Sequence, residues 1–149
     1  MRDDVALLFE ELLQVHDEKA STIKQIIAKD ALIRDSVGRH NERELLLSFQ
    51  EMEVLLDAID LLDFQTGEKY DTLTQLLSID RNGLDRFIEE RDEDVVKRLK
   101  IRQGEVRELL SQMLSQRESL MESLMNEAAS LEQSADELAR LSRVKKELS

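Results

Sequence analysis

Apolar residues recur at steps of three and four along most of the chain. Val5, Leu8, Leu12, Val15, Ile23, Ile26 and Ile27 line one face of a helix that the pattern carries through Ala31 and Leu32 to about Asp35. The polar stretch SVGRHN, residues 36–41, interrupts it. Asn41, with Glu44 three residues later, has the spacing of a capping box and opens a second helix. Leu45, Leu46, Phe49, Met52, Leu55, Leu56, Ile59 and Leu62 form a wide stripe, suited to a core helix of a bundle. FQTGEKY, residues 64–70, weakens the stripe and predicts a break or bend at Thr66 and Gly67. Tyr70, Leu73, Leu76 and Leu77 then make a short helical run ending near Ile79.

DRNG, residues 80–83, is the strongest turn signal. Asn82 and Gly83 tolerate left-handed backbone, and Asp80 or Asn82 can cap the next helix. The helical period resumes at Leu84 with Phe87, Ile88, Val95 and Leu99, and Asp85, Glu89 and Glu90 sit near the positive end of the dipole. Gly104 predicts a bend at most. After it, Val106, Leu110, Met113, Leu120, Leu124, Leu131, Leu138, Leu141 and Leu148 keep an alternating three/four spacing to the end. At ~1.5 Å per residue such a helix from residue 105 exceeds the width of a small domain. The expected fold is therefore all-α: an antiparallel helical bundle with a long, coiled-coil-like C-terminal helix. It is a single elongated domain, with residues 1–104 as a helical body and 105–149 as a projecting helix.

Composition narrows the function. The chain has 149 residues, no proline, four glycines and 3% aromatic residues, which disfavours a β-sandwich and suits long helices. The net charge of −12 argues against nucleic acid and against anionic membrane surfaces as partners. There is no cysteine, so there is no disulfide frame, thiol nucleophile or thiolate metal site. The first residues, MRDDVALLFEELL, are too acidic for a signal peptide, and no stretch reads as a membrane span, so the expected location is cytoplasmic.

Candidate chemistry is sparse. Neither His16 nor His40 follows a glutamate by three residues, so the inward-facing Glu-x-x-His of di-iron bundles is absent, and both read as surface or boundary residues. No phosphate-binding glycine loop or nucleophile elbow occurs. The carboxylates around Asp92–Asp94 interleave with Arg91, Lys97 and Arg98 as on a solvated helix face. The expectation is a non-enzyme without metal or cofactor.

What remains is a binding surface. Met113, Met121 and Met125 fall within thirteen residues of the last helix. Flexible, polarizable methionines suit variable apolar partners, as well as ordinary seams. The predicted partner-binding residues are Leu109, Met113, Leu114, Leu120, Met121, Leu124, Met125, Leu131, Leu138 and Leu141. The stretch LLSIDRNGLDRFIEERDEDVVKRL, residues 76–99, is a leucine-rich helix end, a short break, then a charged helix. It resembles the corresponding segment of FlgN/FliT-type flagellar export chaperones at Leu76, Leu77, Asp80, Leu84, Ile88, Arg91, Val95 and Leu99. The resemblance implies a cytosolic chaperone that holds amphipathic helical termini of type III export substrates, such as hook–filament junction proteins, largely through its own C-terminal helices. The alternatives are a structural homodimeric coiled coil and a regulatory helical-bundle adaptor.

Overall fold

The computed structural model describes every residue except His40 and Ser149, and the backbone alone of Ser134, Lys145, Glu147 and Leu148. It is all-α, as expected. The elements are α1 (Asp3–Gly38), α2 (Glu42–Leu77), α3 (Arg81–Glu90) and α4 (Asp94–Leu148). His40, read from the sequence as a surface or boundary residue, lies outside the described residues.

α1 is the central helix. Twelve of its 36 residues are buried, against five of 36 in α2, because α1 alone has a long neighbour on two sides. Ion pairs fix the directions. Lys69 to Glu11, Lys19 to Asp63 and Lys29 to Glu51 run α2 antiparallel to α1. Arg98 to Glu10, Arg102 to Asp17 and Arg117 to Asp30 run α4 parallel to α1. The antiparallel packing expected of the bundle thus holds for α2, while α3 turns the chain and α4 ascends parallel to α1. Most of these pairs are partly solvated and contribute about 0–1 kcal/mol each, so they set register more than stability.

Two core clusters supply the cohesion. At one end Val5, Phe9, Leu12, Tyr70, Leu73, Leu84, Ile88, Val96 and Leu99 join all four helices, and Phe9 stacks on Phe87 with centroids 6.1 Å apart. Farther along, Ala20, Ile23, Ile26 and Ile33 of α1 meet Met52 of α2 and Val106, Met113 and Leu120 of α4. Leu32, included in the expected stripe, is half exposed, and Ile33 takes the inward position.

The breaks reflect local chemistry. The Asn41 side chain accepts the Glu44 N–H at 3.2 Å, so the predicted cap forms. Asp80 caps α3, accepting the Gly83 N–H at 2.7 Å. The left-handed residue of that turn is Ser78 (φ 53°), not Asn82 or Gly83. Gly83 instead sits in a tight space, since an added Cβ would stand 3.1 Å from both Asp80 Oδ1 and Ile79 Cβ, closer than ordinary van der Waals contact.

Two expected features differ. α2 passes through Gly67 without a break. Buried Leu62 and Tyr70 hold the helix on either side, and the Thr66 hydroxyl donates back to the Leu62 carbonyl at 2.8 Å. Conversely, the charged run after Leu84 is not one helix with α4: it breaks at residues 91–93. The Lys100 ammonium seals that joint, donating to the carbonyls of Glu89 at 3.2 Å and Arg91 at 3.0 Å. These are end-of-helix carbonyls left without intrahelical partners.

Candidate helix-docking groove

The wide apolar stripe of α2 has too few neighbours. Only Met52 and Leu62 among its predicted core residues are buried, while Leu46 and Phe49 are exposed. The cause is the arrangement around α1. Both α2 and α4 pack on α1, but among the described residues no Cα pair between α2 and α4 approaches within 8 Å. Packed helix axes usually lie 8–10 Å apart, so the two flanking helices leave an open groove.

Side chains bridge this groove at two levels. Near its closed end the Gln103 amide donates to the Tyr70 hydroxyl. Burial is the main cause raising the Tyr70 pKa, with the Gln103 hydrogen bond and Arg81 acting against it. The Arg81 guanidinium lies 3.8 Å from the Tyr70 ring centroid. Farther up, Arg117 Nη1 reaches Met52 Sδ at 3.4 Å and stands 3.6 Å from Asp30 Oδ1. One turn from this bridge, Phe49 on α2 and Leu114 and Met121 on α4 are solvent-exposed apolar side chains. At the top, where α1 hands over to α2, the groove widens to about 610 Å³ among Val37, Leu45, Leu124, Ala128 and Leu131, edged by Glu42 and Glu127.

The predicted binding residues divide into three sets. Met113 and Leu120 are buried in the second core cluster, and Leu109 and Leu124 pack against it, so these four hold α4 on the body. Leu114, Met121 and Met125 are exposed along the bundle. Leu131, Leu138 and Leu141 are exposed on the last part of α4, with Leu131 also lining the upper groove. The expected division at residue 104 is accordingly shifted. Gly104 lies within an unbroken α4, whose Val106, Met113 and Leu120 belong to the core. Arg117 faces Asp30, so Gly38 at the end of α1 stands level with the region of Met125. Glu127, Ala128 and Leu131 still line the upper groove, and residues 132–148 extend beyond it, by about 25 Å at ~1.5 Å per residue.

The periodicity places both the α2 and α4 stripes but misses Phe49 and Leu45 as groove residues, because it assigns them to the core. A signal is present: the α2 stripe is wider than one neighbouring helix can cover. His16, expected as a surface or boundary residue, is buried at 8% exposure, with its Nδ1 2.9 Å from the Leu12 carbonyl. Burial is the main cause holding its pKa below the usual value.

Asp30 is the outlier of the core. It is 2% exposed, and neither carboxylate oxygen has a hydrogen-bond partner. Burial pushes its pKa up, against the pull of Arg117 and Arg34. Among the described residues no three His, Asp or Glu side chains converge to hold a metal ion, and no helix is long and apolar enough to cross a membrane. Compared with family models, curated proteins and solved structures, the chain matches none.

Proposed function

We propose that this protein is a non-enzymatic chaperone or adaptor that holds an amphipathic helix of a partner protein in the α2/α4 groove. The carrying observation is the groove itself: two apolar-edged helices held apart on a common third, with Phe49, Leu114 and Met121 exposed where a fourth helix would cover them. Its upper edge carries Glu42 and Glu127, within a chain of net charge −12. An apolar floor with an acidic upper edge favours an amphipathic helix with a basic flank. Methionine at positions 121 and 125 lets one surface adapt to ligands of different shape. The resemblance at residues 76–99 supplies the substrate class: helical termini of flagellar type III export substrates such as hook–filament junction proteins, met in the cytoplasm.

The test is calorimetric titration of the full chain with C-terminal helical segments of hook–filament junction proteins, alongside an unrelated basic amphipathic peptide. Micromolar or tighter binding of the junction segments alone supports the chaperone reading. Equal binding of both peptides supports a general helix-binding adaptor instead. Met121→Asp with Phe49→Asp should abolish binding and leave the melting of the body intact, since both side chains are already in water. Binding that survives the double substitution sinks the groove.

A further inference from the structure

The lower end of the α2/α4 groove differs from its top. There a hollow of about 440 Å³ lies among His16 of α1, Tyr70 of α2, Arg81 of α3 and Gln103, Arg107 and Leu110 of α4. We propose that this hollow holds the C-terminal carboxylate of the partner helix, so that the helix lies in the groove in one direction only. This assignment rests on helix binding in the groove and adds to it an anchor and a polarity. Hydrogen-bond donors are in surplus here. Tyr70 is 6% exposed, and its hydroxyl accepts the Gln103 amide. The hydroxyl's own proton meets no acceptor among the described residues, so a buried donor is left to spend. Arg107 is exposed at the rim and makes no ion pair among the described residues. The Arg81 guanidinium lies on the Tyr70 ring, and its ion-pair partner Asp85 stands 3.7 Å away, beyond hydrogen-bond reach. Two guanidiniums and a hydroxyl proton are thus met by a single carboxylate among the described residues of the lining, in a chain whose net charge is −12. A second carboxylate fits this set, because its two oxygens take guanidinium and hydroxyl donors together.

Position makes that carboxylate a chain end. Arg81 and Asp85 of α3 stand at this end of the groove, so a helix lying between α2 and α4 stops here. His16 lines this hollow and Val37 the upper one. Along α1 they are about 32 Å apart at ~1.5 Å per residue, the length of a helix of about 20 residues. The two ends then match a helix dipole. Glu42 and Glu127 edge the upper hollow, where the N-terminal N–H groups of the bound helix would lie. Arg81 and Arg107 edge the lower one, where its last carbonyls and its carboxylate would lie. Between them Arg117 stands opposite Asp30, so the middle of the groove favours neither sign. A helix laid the other way would set its carboxylate beside Glu42 and Glu127.

The test is calorimetric titration of the full chain with the C-terminal helical segment of a hook–filament junction protein, ending at its natural C-terminus, as the free acid and as the C-terminal amide. The free acid should bind roughly tenfold or more tightly than the amide. Arg81→Gln with Arg107→Gln, both at exposed sites, should weaken the acid to the level of the amide and leave the amide unchanged. Because the chain has no cysteine, spin labels report direction. A label on Arg43→Cys should lie close to one on the first residue of the peptide and about 30 Å from one near its last. Equal binding of acid and amide, with Phe49→Asp/Met121→Asp still abolishing both, overturns the carboxylate site and leaves the groove standing. A preference for the acid that survives the double arginine substitution overturns it as well, and so does a label at residue 43 close to the end of the peptide. Binding of neither form removes groove and anchor together.

Discussion

α4 carries the same spacing of apolar residues on both sides of Met125, yet the two halves live in different environments. Below that point Val96, Leu99, Val106, Met113 and Leu120 are buried against α1 and α2; above it Leu131, Leu138 and Leu141 stand in water. Periodicity states that a helix has an apolar face. Whether the face is core or interface depends on how far the neighbouring helix extends, and α1 ends at Gly38.

The largest expected effect sharpens this comparison directly. Truncation after Gly104 removes Val106, Met113 and Leu120 from the second core cluster and should unfold that end of the body. Truncation after Met125 should leave the thermal midpoint of the body unchanged. Circular dichroism melts of the two truncated chains check it, and equal melting would place the core boundary elsewhere.

Next in size is a pair of single substitutions. Leu99, fully buried, should cost about 2–5 kcal/mol on replacement by alanine. Leu138→Ala, at an exposed site, should stay within about 0.5 kcal/mol in urea titrations.

A smaller effect concerns the buried carboxylate. Asp30→Leu should stabilise the protein at pH 7 by about 1–4 kcal/mol, because Arg117 stands only partly buried and can turn to water while the orphaned charge disappears. Since the Asp30 pKa is raised on folding, its contribution is fully present below the ordinary carboxylate value and is lost as pH rises through the folded value. His16 runs the other way. Its folded pKa is lowered by burial, so its contribution is present above 6.5 and is lost as pH falls through the folded value. Urea titrations of Asp30→Leu and His16→Gln across this range should each flatten one limb of the wild-type profile.

The smallest effect tests the uninterrupted α2. Gly67 lies within the helix with nothing within 4 Å of an added Cβ. Gly67→Ala should therefore stabilise by about 0.5–1 kcal/mol. Destabilisation would mean that α2 needs the bend its sequence suggests.

Much of the fold is legible in the sequence because its signals are local. Asn41 and Asp80 cap their helices through their own neighbours, Glu44 and Gly83. The joint at residues 91–93 is hidden because part of what closes it is distant: Lys100 reaches back two turns and more to the carbonyls of Glu89 and Arg91. At Gly67 the reverse holds, since burial of Leu62 and Tyr70 on either side overrides a weak local preference. For the candidate site, periodicity cannot separate the exposed Leu114, Met121, Met125, Leu131, Leu138 and Leu141 from the buried Met113 and Leu120, because both kinds belong to one helical pattern. Phe49 escapes notice for the same reason.

By itself the sequence determined the helical class, the caps and the leucine stripes, all of which are written in residues within a few turns of one another. Only the tertiary structure decided that α1 is central, that α4 runs parallel to it, and that α2 and α4 stand apart with a groove between them. Helix formation is governed by hydrogen bonds and side chains a turn or less apart. Which apolar face stays uncovered is settled by contacts between segments tens of residues distant, as Arg117 with Asp30 and Met52 shows.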